Sequence, residues 1–228
     1  ASLSRSGDPR KYRYAVIYLF FFVLSQSMVA FDWVMSLEYP WYSTLFGAYF
    51  FVEAIFCGLA VAGLLYLFRY GKGGSGKMPN TQEYLRDIGT LLFGFSILWG
   101  GFFFAQFLVI WYGNLPEEVF YLAERFATPR DQALSCLVIV SFFAVPFCFL
   151  LPRKAKITPF VIAIVCLSIL SGTFVERYLF LKLILPLPAW IFIPELLLIL
   201  ALFAWQTGRR NDLTLPAPEH KKKIRPPC

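Results

Sequence analysis

The side chains able to do chemistry in this sequence are carboxyls and amides set inside apolar runs. Glu53 is the only charged residue between positions 44 and 68. A carboxyl in such a run must keep its proton or find a polar partner, because leaving water disfavours the charged form. It stands about ten residues into its run and, at about 1.5 Å per residue, is expected near mid-membrane. Glu195 is placed similarly in the run 188–205. Ser25 and Gln26 lie well inside the first run and are the neighbours expected for Glu53. In the third run Ser96, Phe103, Gln106 and Ile110 fall on one helical stripe with Trp99 close by, so the Gln106 amide is expected to face protein rather than lipid. Asp32 and Glu38 close the first run, placed to cap the next helix or line a water-filled opening. Glu176 and Arg177 end the fifth run and read as a rim ion pair. Such groups serve as stations for proton transfer or as buried hydrogen bonds between packed helices, and the sequence leaves both open.

Other chemistries are excluded. The one histidine, His220, lies in the basic C-terminal tail, so no pair of histidines can hold a haem inside the membrane. Cys57, Cys136, Cys148 and Cys166 lie in apolar runs and read as small hydrophobes, while Cys228 stands alone. With no CxxC or CxxCH, the chain is expected to bind no iron-sulfur cluster or c-type haem by itself. The stretch GKGGSGK matches a phosphate loop at Gly71, Gly76 and Lys77. No Ser or Thr follows Lys77, and an apolar run rather than a short strand precedes it, so it reads as a flexible linker.

The elements that must position these groups are transmembrane helices. The composition, 58% apolar and 19% aromatic against 15% charged, exceeds what a soluble domain of this size buries. Six runs are long enough to cross about 30 Å of hydrocarbon: 12–35, 44–68, 88–111, 133–151, 157–175 and 188–205. The predicted fold is therefore an all-α polytopic bundle of six spans over 12–207, with tails at 1–11 and 208–228. Drawn this way, 17 of the 21 Lys and Arg fall on one side, and only Arg125, Arg130, Arg177 and Lys182 on the other. The positive-inside rule then puts both termini in the cytoplasm. The net charge of +7 is juxtamembrane charge and not a nucleic-acid signature. The first run is too long for a cleaved signal, and the start, Ala1 to Asp8, reads as a processed end or a piece of a longer chain.

Two outer segments have more character than linkers. In FDWVMSLEYPWYSTLF, from Phe31 to Phe46, Pro40 breaks the helix and Trp33, Trp41 and Tyr42 have rings suited to headgroup depth. In WYGNLPEEVFYLAERF, Asn114 and Pro116 mark a turn, and 116–126 is predicted as a short amphipathic helix. Trp111 and Tyr112 anchor its start, Glu117 and Glu118 occupy its first turn and Arg125 its last, as the helix dipole favours. Glu38, Trp41, Trp111, Tyr112, Asn114, Glu117 and Glu118 make up the expected outer docking surface.

FDWVMSLEYPWYSTLFG, from Phe31 to Gly47, and FAQFLVIWYGNLPEE, from Phe104 to Glu118, closely resemble signatures of ActF. That family supplies a membrane subunit of alternative complex III, a bacterial quinol-oxidising respiratory complex, and is related to the NrfD-like subunits of polysulfide reductases. FFAVPFCFLLPRKAK, from Phe142 to Lys156, resembles the next span and turn of the same family. ActF has more spans, and this chain matches its C-terminal portion, as a shortened form or as part of a longer product. At the start of the third span, where the family often carries a His-Asp-Leu-Gly-Lys-like stretch, this chain reads Arg86, Asp87, Ile88, Gly89 and Thr90. Asp87 and Gly89 match, while the histidine-like and lysine-like positions differ, which weakens a cytoplasmic proton outlet and favours an architectural role.

The resemblance implies a non-catalytic subunit of a bacterial inner-membrane complex, holding no redox cofactor. It would sit beside a second NrfD-like subunit with the quinol site, an iron-sulfur subunit and multihaem c-type cytochromes, so haem, clusters and quinone belong to neighbours. Structural support with proton conduction through Glu53, Asp32, Gln106, Glu195, Gln26 and Asp87 is the function expected. A scaffold without conduction and a stand-alone ion or metabolite transporter are the alternatives. No inverted repeat is visible to favour the transporter.

Overall fold

The computed structural model describes residues 9–39, 41–70 and 81–182. The sixth predicted span with Glu195, the loop 71–77 and both tails lie outside the described residues. The chain divides into two units, Ile17–Pro186 and Ala1–Val16 with Leu187–Cys228. The first contains the bundle; of the second only Pro9–Val16 is described, as helix.

Seven α-helices follow one another among the described residues: α1 Pro9–Val29, α2 Phe46–Tyr70, α3 Thr81–Gly113, α4 Pro116–Arg125, α5 Pro129–Ile139, α6 Val145–Leu150 and α7 Pro159–Lys182. Five stretches are long and apolar enough to cross a bilayer: Tyr12–Glu38, Phe46–Phe68, Gln82–Gly113, Pro129–Leu150 and Pro159–Lys182. The protein is thus an all-α polytopic membrane bundle. α3, at 33 residues, runs about 50 Å and overshoots the hydrocarbon by several turns.

Local chemistry sets the ends. α3 stops where Asn114 turns left-handed at φ 46°, its N–H reaching the Ile110 carbonyl at 3.0 Å. Pro116 then fills the first position of α4, where its missing N–H costs nothing. The predicted amphipathic helix is present within a residue of its expected end. α5 starts earlier than expected, at Pro129 rather than 133, because Thr128 caps it: Asp131 N–H donates to the threonine hydroxyl at 3.2 Å, and that hydroxyl donates to Asp131 Oδ2 at 2.7 Å.

The fourth span is one helix with a wide turn in it. Pro146 has no N–H to give, and its ring crowds the preceding turn. Val140–Ala144 relaxes into a π-turn, with Val145 N–H bonding the Val140 carbonyl. In that register the Ser141 carbonyl would wait for Pro146, which has no donor. Ser168 on α7 supplies one at 3.1 Å. Gly172 permits the close approach: a Cβ there would stand 2.8 Å from Ser141 Cβ and 3.1 Å from the Phe142 ring.

α2 packs mainly on α7 and α3, with α5 and α6 closing the bundle against α7 and α3. The core is aromatic: Trp99 lies against Tyr49 at 5.7 Å and Phe142 at 4.8 Å, and Phe142 reaches Phe56 at 6.0 Å. α1 buries little, and after Val29 it loosens into a π-turn, Ala30–Val34, and a 3-10 turn, Met35–Glu38. This elbow and α4 lie at one end of the bundle, here the elbow end.

Candidate functional site

Tyr49, Glu53 and Cys57 recur every four residues on α2 and so share a face. That face packs on α7, where Thr173, Glu176 and Arg177 also share a face. The pairs match level by level. Tyr49 donates its hydroxyl to Glu176 Oε1. Arg177 Nη2 lies 2.7 Å from Glu53 Oε2, a close ion pair that lacks hydrogen-bond alignment. Cys57 Sγ and Thr173 Oγ1 stand 2.7 Å apart. Glu53 is fully buried and Glu176 5% exposed, while the Arg177 side chain keeps a third of its surface and rests on the Phe50 ring at 4.5 Å. Glu53 and Glu176 feel one another's charge as well as that of Arg177.

Two sequence expectations are corrected here. Glu53 meets α7, not Ser25 and Gln26 of α1: Ser25 turns back on its own helix at the Phe22 carbonyl, and Gln26 is half-buried on α1. Nor do Glu176 and Arg177 form a rim pair with each other, because α7 continues to Lys182 and carries both into the bundle. α2 begins at Phe46, so Glu53 lies about 10 Å along it from the elbow end.

Above this cluster Gln106, half-buried on α3, lines two cavities. One, about 80 Å³, is bounded by Tyr49, Glu176, Ser135, Arg125 and a wall of Phe side chains. The other, about 170 Å³, lies among Trp41 to Leu45, Val109, Ile110 and Glu118. The Gln106 Nε2 and Arg125 Nε atoms are buried there without a hydrogen-bond partner. The expected stripe on α3 holds: Ser96, Trp99 and Ile110 are buried and Phe103 half-buried.

At the elbow end Arg125 donates to Glu38 Oε1 at 3.0 Å and stacks on the Tyr121 and Phe180 rings at 4.1 and 4.8 Å. Trp41 stacks face to face on Tyr121 at 3.8 Å. Burial pushes the Tyr121 phenol up to about 12, so it stays protonated. Glu38 and Trp41, expected on a docking surface, are therefore turned inward, because α4 folds back over the elbow and covers them. Trp111, Tyr112, Asn114 and Glu117 remain exposed, and Glu118 is half-buried against the larger cavity. Asp32 is exposed on the elbow, its carbonyl taking the Ser36 hydroxyl. Asp87 is exposed beside Arg86 on the first turns of α3, far along that helix from Gln106. Tyr49 and Glu176 of the Glu53 cluster thus reach the cavity that Gln106 lines, and Asp32 and Asp87 lie outside both.

Sequence reasoning missed Tyr49, Glu176 and Arg177 as one site. The signal was present: Tyr178 to Leu181 continue the apolar run past Arg177, which places that charge within a helix. The same reasoning missed the Lys182 bond to Asp131 Oδ1, which ties the end of α7 to the first turn of α5. Among the described residues no three His, Cys, Asp or Glu side chains are grouped to hold a metal ion. No family model matches the chain, and no curated protein matches it.

Proposed function

We propose that the chain is an integral membrane subunit of a bacterial quinol-oxidising complex of the alternative complex III type, in the place ActF occupies. It gives structural support and carries protons in its elbow-end half. One observation carries this reading. The two segments that resemble ActF, 31–47 and 104–118, are far apart in sequence yet supply Trp41 to Leu45 and Gln106, Val109, Ile110 and Glu118 to the walls of one cavity. Resemblance in residues that meet in space supports a shared structural unit better than resemblance in scattered runs.

In this reading 188–205 is the sixth span, both termini are cytoplasmic, and the elbow end faces outward from the inner membrane. Charge supports that orientation. Of the four cations on the elbow side, Arg125, Arg177 and Lys182 are each paired with a buried carboxylate. The effective positive-inside bias is therefore sharper than a count of residues gives. Haem c and iron-sulfur clusters are assigned to partner subunits, and the quinone to a neighbouring NrfD-like subunit.

A scaffold without conduction is the second reading, and it has its own observation. Beyond the Cys57–Thr173 contact the described core holds no further charged side chain: Ala60, Leu92, Ile162, Val165 and Ile169 are buried there, with the neutral Ser168–Ser141 hydrogen bond among them. A mild-detergent pulldown from native membranes, with haem staining and identification of partners, tests the assignment. Multihaem cytochrome, an iron-sulfur subunit and quinol oxidation should accompany the chain. A chain that emerges alone and without haem overturns the reading and turns attention to transport.

A further inference from the structure

We propose that Glu53 and Glu176 hold one proton between them, and that this proton exchanges with the aqueous phase at the elbow end alone. The proposal rests on the proton-carrying part of the function above and not on membership of a complex.

The argument begins with charge. At the elbow end four carboxyls are buried: Glu38, Glu53, Asp131 and Glu176. Among the described residues three cations pair with them, Arg125 with Glu38, Lys182 with Asp131 and Arg177 with Glu53. Among the described residues Glu176 has no ion pair of its own: it accepts from the neutral hydroxyl of Tyr49 and shares the charge of Arg177 with Glu53. Arg130 is exposed; its charge is felt at the neighbouring Asp131, which Lys182 already pairs, and it forms no ion pair with any of the four. Grouped in any way, the set is one cation short, and a buried excess anion in low dielectric takes up a proton. The two carboxyls that share Arg177 are where that proton resides. Every other group facing them keeps its charge state: Tyr49 and Cys57 on α2 and Tyr121 on α4 are neutral, Thr173 on α7 and Gln106 on α3 do not titrate, and Arg125 stays with Glu38.

Geometry then gives the direction of exchange. Glu176 and Tyr49 line the cavity of about 80 Å³ under α4, together with Gln106, Ser135 and Arg125. The walls of this cavity are mostly apolar, but a water needs only about 10–15 Å³, and the unpartnered Gln106 and Arg125 donors with Glu176 and Ser135 offer it partners on the polar side. A hydronium reaching this cavity gives its proton to a Glu176 oxygen and leaves as water; the reverse step returns it. Towards the other end, among the described residues, Cys57 and Thr173 are the last polar contact of the cluster; past them lie buried Ala60, Leu92, Ile162 and Val165, and the Ser168 hydroxyl there is already engaged with the Ser141 carbonyl.

The test is labelling of the full-length chain in sealed native membranes with dicyclohexylcarbodiimide, which couples to protonated carboxyls in apolar surroundings. Peptide mass spectrometry reads Glu53 and Glu176. In the wild-type chain the two sites together should take no more than one label per chain. Labelling should follow the pH on the elbow side and ignore the pH on the other, compared in vesicles of both orientations. Glu53→Gln and Glu176→Gln each leave one carboxyl with Arg177, so the remaining carboxyl should lose its label. Arg177→Gln leaves two carboxyls without a cation and should raise the label about twofold. A wild-type chain without label, label that ignores elbow-side pH, or full label on the remaining carboxyl of Glu53→Gln overturns the proposal. The wild-type results stand even where a variant fails to fold, and none of them depends on which subunits copurify.

Discussion

Arg177 is the residue on which the buried cluster depends. Its guanidinium faces a fully buried carboxyl, so truncating it leaves that group either charged without a partner or forced to take up a further proton. Arg177→Ala should cost about 3–5 kcal/mol, the usual loss when one partner of a buried pair is deleted. Unfolding in mild detergent with added denaturant measures this, and Glu53→Gln in the same chain should recover much of the loss. Trp41 is the second sensitive position. It is 3% exposed and stacked on Tyr121, so Trp41→Ala should cost about 3–5 kcal/mol and release α4 to proteolysis. Trp111, 67% exposed, should tolerate the same change in the folding assay.

At the scale of elements, the π-turn in the fourth span ties a proline to a serine on another helix. Ser168→Ala should cost about 1–3 kcal/mol by leaving the Ser141 carbonyl unsatisfied. Pro146→Ala returns the missing N–H, so Ser168→Ala should cost much less in that background. A double-mutant cycle measures the coupling, and additive losses would break the link drawn between the two residues. Gly172→Ala brings a methyl to 2.8 Å from Ser141 Cβ and should destabilise by about 1–3 kcal/mol through the same contact. The element ends were readable in advance where local chemistry sets them. Asn114 and Pro116 announced the turn before α4. The early start of α5 went unread because its capping threonine stands outside the apolar run.

For the whole molecule the sharpest prediction concerns sides. In a cysteine-free chain, a single cysteine at Glu117 should react with an impermeant thiol reagent added outside the cell, and one at Lys154 should react only after the membrane is opened. The opposite pattern would invert the topology. The sequence determined the class of fold, the place of five of its spans with ends off by up to seven residues, the turn before α4 and the charge bias, because helix length, breakers and loop charge are local quantities. It did not determine that α2 meets α7, that Trp41 turns inward, or that Glu53 pairs with Arg177. In water a helix advertises its buried face by contrast with its polar one. In a bilayer the lipid-facing and protein-facing sides are equally apolar, so periodicity no longer marks the contact. Only the tertiary structure decided how far each helix rotates about its axis, and with that rotation which carboxyls share a cation.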